Sequence, residues 1–142
     1  MSDPLYAKDL LRLAANATGA GRLAPFDTEG LAHNPTCGDR VAVTLRLDVD
    51  ERIAAIAHET HACVLAQASA SILGAHLSGT DNAGVQALRA QVAAMLREGT
   101  GPPAAFKDYA ALAGAAIHRN RHTCVLLPID AVLDAFAKRP SS

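Results

Sequence analysis

The chain has 142 residues, half of them hydrophobic and only 4% aromatic, with a formal net charge of -1. That length and apolar content suit one domain over 1-142, its alanine-rich helices packed through small side chains, and the interspersed charges leave no basic field to attract nucleic acid. From Met1 to Leu13 charged and apolar residues alternate, giving neither the apolar run of a signal peptide nor a membrane span of about 20 residues, so a cytoplasmic protein without a membrane partner is expected.

Leu5, Leu10, Leu11 and Leu13 fall near helical spacing, with Asp3 and Pro4 as N-cap and first helical position, which predicts a short first helix over residues 5 to 15. Gly19, Gly21, Pro25 and Gly30 then punctuate a stretch with little periodicity, read as loop or broken strand. From Val41 the alternation of Val41, Val43, Leu45, Leu47 and Val49 with Ala42, Thr44, Arg46 and Asp48 marks a half-buried strand. After a turn at Asp48 to Glu51, Ile53 to Thr60 returns as its antiparallel partner.

Cys63 to Leu77, rich in Ala, Ser and Leu, predicts a buried helix, with Ser69, Ser71 and Ser78 serving close packing. Asp81 then caps a third helix whose apolar positions run from Val85 to Leu96, closed by Gly99. Phe106, Tyr109, Leu112 and Ile117 predict another, ending near Asn120. Ile129, Val132, Leu133 and Phe136 predict the last, with Pro128 near its start and Cys124 at or just before it, because an interior proline removes a backbone hydrogen bond. Few strands followed by several helices indicate an α+β fold, a small antiparallel sheet of about three strands with helices on one face.

Three cysteines in a reducing cytoplasm stay as thiols, and an odd number cannot all pair within the chain. Thiolates are soft ligands, and Asp39, separated from Cys37 by a turn-permitting glycine, completes a count of four with Cys63 and Cys124. The alternative is three separate buried cysteines packed as small hydrophobes. The spacings exclude a zinc knuckle, so the fold must assemble any site. His58 and His61 precede Cys63, and His118 and His122 precede Cys124, so His61 or His122 is a further candidate for the metal shell. His58-Glu59-Thr60-His61 is one residue short of a metalloprotease helix motif, and no hydrolase elbow or phosphate loop is present.

Asn34-Pro35-Thr36-Cys37-Gly38-Asp39-Arg40 before an alternating strand, the Cys63 helix with its small residues and serines, and Arg121-His122-Thr123-Cys124 before a final helix together resemble the U-type scaffolds of iron-sulfur cluster assembly. The resemblance spans roughly residues 5 to 137. The long gap from Cys63 to Cys124 is most similar to the branch known for zinc-dependent sulfur acceptance. It implies a site of Cys37, Asp39, Cys63 and Cys124 holding zinc, or alternatively iron or a transient iron-sulfur cluster. It also implies a cysteine desulfurase as sulfur donor, Cys37 as acceptor and Arg121 as a supporting cation.

On this resemblance the chain is expected to be a sulfur carrier, non-enzymatic or sulfurtransferase-like at most. The alternatives are a transient scaffold that passes clusters to recipient apo-proteins, and a structural zinc-binding adaptor. Three departures from the family pattern stand out. The Leu-Pro-Pro-Val-Lys type segment is absent from Ile117 to His122, which argues against a dedicated Hsp70 partner. Ala62 replaces a glycine, and Asn16 to Arg22 lacks the early Asn-Pro-x-Asn pattern.

Overall fold

The computed structural model describes residues 4–35, 38–117 and 119–139. The elements run α1 (Pro4–Asn16), β1 (Thr28–Asn34), β2 (Asp39–Leu47), β3 (Ile53–His61), α2 (Val64–His76), α3 (Asn82–Glu98), a 3₁₀ segment (Ala104–Ile117) and α4 (Arg119–Ala137). The strands form an antiparallel sheet in the order β1-β2-β3. This is the α+β architecture expected from the sequence.

The strand alternation buries Val41, Val43 and Leu45 on one face of the sheet, where α4 packs against β1 and β2 and α2 packs against β3 and α4 to make the core. The expected Val49 lies beyond the end of β2, in the turn, and is 98% exposed. Ile53 to His61 returns along β2 in the register Arg40↔His61 to Arg46↔Ala55. That register fixes the ends of the sheet. Asp39, Arg40 and His61 share one end, and the turn after Leu47 lies at the other.

α2 starts at the Asp39 end, immediately after β3. α4 runs antiparallel to β1. Its C-terminal half meets the start of that strand, where the Thr28 hydroxyl donates to the Ala135 carbonyl at 2.7 Å and the Leu31 N–H donates to the Asp134 carboxylate at 2.8 Å. The first turns of α2 and α4 therefore both lie at the Asp39 end of the sheet. Gly30 makes the β1–α4 packing possible, since a Cβ there would sit 2.1 Å from the Ala131 carbonyl oxygen and 2.4 Å from the Ala135 nitrogen.

α3 has the caps its sequence predicts: the Asp81 carboxylate accepts from the Gly84 N–H at 2.8 Å, and Gly99 closes the helix at φ 73. Asp3, expected to cap α1, lies outside the described residues, as does His118. Three expectations are corrected. The stretch read as loop or broken strand contains β1, whose Gly30 serves a close backbone approach instead of an apolar stripe. The helix expected over Phe106 to Asn120 is a 3₁₀ segment broken at Phe106 (φ -131, ψ 49) and followed by a new helix from Arg119.

The third concerns Pro128, which lies inside α4 and not at its start, so Cys124 sits in the second turn of the helix. The proline withholds only the bond that would run back to the carbonyl at position 124, and tertiary packing carries the helix through: Val125, Ile129, Ala131 and Val132 are fully buried.

Candidate metal centre

Asp39 opens β2 and is paired with Asn34 across the β1–β2 hairpin. The hairpin is tightened by a 2.8 Å bond from the Gly38 N–H to the Asn34 carbonyl, with Gly38 at φ +76, a conformation that glycine adopts without steric cost. The end of the hairpin thus sets the Asp39 carboxylate beside the first turn of α2.

Cys63 is the N-cap residue of α2, with extended φ -65 and ψ 170, and its side chain makes no capping bond. Its own N–H donates instead to Asp39 Oδ2 at 3.3 Å. The thiol is therefore not used up in capping and stands at the positive end of the α2 dipole, a favourable place for an anionic ligand. The turn is fastened by Gln67, whose amide side chain donates to the Ala62 carbonyl at 3.0 Å and whose N–H donates to the Cys63 carbonyl at 3.0 Å.

Cys124 comes from the other side and is buried, with its sulfur 3.7 Å from the same Asp39 Oδ2. The adjacent turn of α4 is tied down by a buried polar chain. The Ser69 hydroxyl donates to the Val125 carbonyl at 2.7 Å, so the Tyr109 hydroxyl, also 2.7 Å from Ser69 Oγ, is the donor in that second bond. Burial pushes the Tyr109 phenol well above its ordinary pKa, with the Ser69 bond opposing, which keeps it a neutral donor. Sequence reasoning gave Ser69 a packing role and no role to Tyr109, which looked like one more apolar-face residue.

One ligand atom from each of Asp39, Cys63 and Cys124 lies within 4.8 Å of the other two. In a tetrahedral site with zinc–sulfur bonds of about 2.3 Å, neighbouring ligand atoms are about 3.8 Å apart, so a contraction of about 1 Å or less would close these three around an ion. The donor chemistry fits as well: two soft sulfurs and one carboxylate suit zinc or iron. The structure thus brings together three of the four expected ligands. Cys37, the fourth, lies outside the described residues. Neither His61, exposed at the end of β3, nor His122, half-buried on α4, belongs to this cluster among the described residues. Arg121 is exposed on the first turn of α4.

Comparison with known proteins matches this arrangement. The family model described as NifU-like N terminal domain matches residues 5–122. The chain belongs to that family. The N-terminal part of a nitrogen-fixing NifU-like protein from Brucella abortus is similar at 32% identity, with a TM-score of 0.86 over 93% of this chain and 92% of that one. A hypothetical protein of solved structure is 26% identical, with a TM-score of 0.82 over 94% and 98% of the two chains.

A third structure shares the fold at 18% identity, with a TM-score of 0.80 over 95% and 98% of the two chains. It comes from Fervidobacterium islandicum AW-1 and is described as an iron-sulfur cluster assembly scaffold protein for the SUF system. No curated protein matches the chain. Membership in the NifU-like family places the protein in iron-sulfur cluster assembly, as a scaffold-type protein with a possible Asp/Cys/Cys metal site. Among the described residues no helix is long and apolar enough to cross a membrane.

Proposed function

We propose that this NifU-like chain acts as a single domain that accepts sulfur during iron-sulfur cluster assembly, with Cys37, Asp39, Cys63 and Cys124 holding one zinc ion and a cysteine desulfurase as the donor. The observation that carries this reading is the convergence of Asp39, Cys63 and Cys124, from β2, the N-cap of α2 and α4, to within 4.8 Å of one another. Cysteines that served only as separate packing residues would have no reason to bring both sulfurs to one carboxylate. Cys37, two residues before Asp39 in the sequence, supplies the fourth ligand.

Zinc, when bound, keeps its thiolates deprotonated and therefore nucleophilic. The roles proposed for the chain's own residues follow from their chemistry. Asp39, a hard donor among soft thiolates, would hold the ion less firmly than the three cysteines. Cys37, next to the turn at Gly38, is the acceptor. Its thiolate attacks the outer sulfur of the donor persulfide, forming a new S–S bond on Cys37. The donor's S–S bond breaks and the desulfurase cysteine leaves as a thiolate, so no oxidant is needed. Arg121, exposed at the start of α4, offers a cation to the resulting anionic persulfide or to a partner carboxylate.

The test is desulfurase turnover. Zinc-loaded protein is expected to raise cysteine consumption, and Cys37→Ala to abolish that stimulation. Unchanged stimulation by Cys37→Ala would overturn the acceptor assignment, and no stimulation by the parent chain would favour a structural zinc-binding adaptor.

Family membership favours a second reading, in which the same ligands build a transient cluster for transfer to recipient apo-proteins. Anaerobic addition of iron and sulfide separates the two. Visible cluster absorption and transfer to an apo-protein support the scaffold, while tight stoichiometric zinc without absorption supports the carrier.

A further inference from the structure

β3 is an edge strand, flanked on its inner side by β2. Its outer side is met at one point by the segment that follows α1, through a parallel bridge between Ala20 and His58. There the His58 N–H donates to the Gly19 carbonyl at 2.9 Å, and the Gly21 N–H donates to the His58 carbonyl at 2.8 Å. His58 therefore spends its main-chain groups on the outer edge. Strand backbone groups alternate between the two edges, so Thr60, two residues on, also turns its N–H and C=O away from β2.

Beyond Gly21, at φ +130, the covering segment leaves the strand. A cavity of about 310 Å³ opens there, lined in part by Ala17, Ala20, Gly21, Thr60 and Gln67. The side chains along this stretch of β3 are already engaged, since His58 bonds the Thr18 carbonyl through Nε2 and the Thr60 hydroxyl through Nδ1, both at 2.9 Å. What the cavity offers a ligand is thus a strand edge between walls of alanine and glycine small enough for another backbone to approach.

Direction and charge narrow the occupant. Past Thr60 the strand leads through His61 to Cys63, and Gln67, at the inner wall, is itself bonded to the Ala62 carbonyl beside that ligand. A segment laid along this edge points at the metal centre. Glu59 is the one carboxylate among the residues lining the cavity; one of its oxygens lies 3.7 Å from Arg22, whose guanidinium is also paired with Glu29, so the three groups together keep one net negative charge. A neutral or basic segment suits it and an acidic one does not.

We propose that this edge is a docking site for an extended segment of the sulfur-donating protein, added as a short strand beside β3. Its main chain bonds Thr60, a basic or neutral side chain faces Glu59, and the residues that follow are delivered toward Cys63. Main-chain bonding supplies affinity in such strand addition, and the small pocket supplies selection. The inference rests on sulfur acceptance from a desulfurase and adds to it the surface and the mode of contact.

Amide exchange of the zinc-loaded full chain, followed by NMR with and without cysteine desulfurase, tests it, with association measured separately by calorimetry. The Thr60 amide is expected to slow at least tenfold on binding. Ala20→Trp, which fills the cavity, is expected to weaken association at least tenfold with zinc content unchanged. Glu59→Lys, at an exposed position, weakens it several-fold and serves if the tryptophan variant does not fold.

Desulfurase that binds normally while Thr60 exchange stays unchanged would overturn the docking mode and leave sulfur acceptance standing. Protection of Thr60 that grows with the concentration of the chain alone would assign the edge to a second copy and overturn the partner. Absence of any desulfurase binding would remove sulfur acceptance itself and this inference with it.

Discussion

Asp39 Oδ2 lies 3.7 Å from the Cys124 sulfur across 85 residues of sequence, and the same oxygen accepts the Cys63 N–H at 3.3 Å. One carboxylate therefore ties the β hairpin to both cysteine-bearing helices. Thiolate bonds to zinc are the stronger ones, so the ligands are expected to differ in weight. In competition with a metallochromic chelator, Cys124→Ser is expected to weaken zinc binding about tenfold more than Asp39→Asn does. Equal losses would place the carboxylate on a par with the sulfurs.

The Tyr109–Ser69–Val125 chain is buried and fully paired. Ser69→Ala removes the bond to Val125 and leaves the Tyr109 hydroxyl without its acceptor, a loss of about 1–3 kcal/mol. Tyr109→Phe leaves the Ser69 bond to α4 in place and is expected to cost less, about 1 kcal/mol. The double variant should fall short of the sum, because both act on one network. Denaturant titration of the four proteins checks this.

Gly30 lies under the helix that carries Cys124. A Cβ at that position meets backbone atoms of Ala131 and Ala135, which no side-chain rotation can relieve. Gly30→Ala is expected to destabilise the fold by about 3 kcal/mol and to weaken metal binding by shifting α4. Gly114→Ala, where a Cβ meets nothing within 4 Å, is the control and should stay within about 0.5 kcal/mol of the parent. Thermal unfolding of the two variants makes the comparison.

The regular elements were legible where one local signal sufficed. Alternation found β2, Asp81 and Gly99 bounded α3, and the cysteine-flanking segments identified the family. β1 was legible only as a loop or broken strand, because its defining residue, Gly30, is selected by the backbone of a helix about a hundred residues away. The position of Cys124 was misjudged for a related reason. Pro128 marks a helix start when local bonding decides, but burial of Val125, Ile129 and Val132 carries α4 through it. Nothing in the spacing of the cysteines could show that Asp39 takes the Cys63 N–H, since that bond exists only once β2 and α2 share an end of the fold.

His58 is buried, and desolvation lowers its pKa below the ordinary value, with the bond to the Thr18 carbonyl opposing. Between the folded and unfolded values the unfolded chain binds more protons, so stability rises with pH in that window. The contribution of His58 is complete above about pH 6.5, the ordinary value, and is lost as pH falls through the depressed one. Urea titrations of metal-free protein at pH 7.5 and 5.5 should show this loss, and His58→Gln should have a flatter pH dependence. An equal slope in the variant would assign the effect to other groups.

X-ray absorption at the zinc edge of the loaded chain reads the ligand shell itself. Cys37, Asp39, Cys63 and Cys124 around one ion give three sulfur scatterers at about 2.3 Å and one oxygen at about 2.0–2.2 Å, with Cys124→Ser losing one sulfur. A shell dominated by imidazole nitrogen, or one unaltered by Cys124→Ser, would contradict a metal centre built on these four residues.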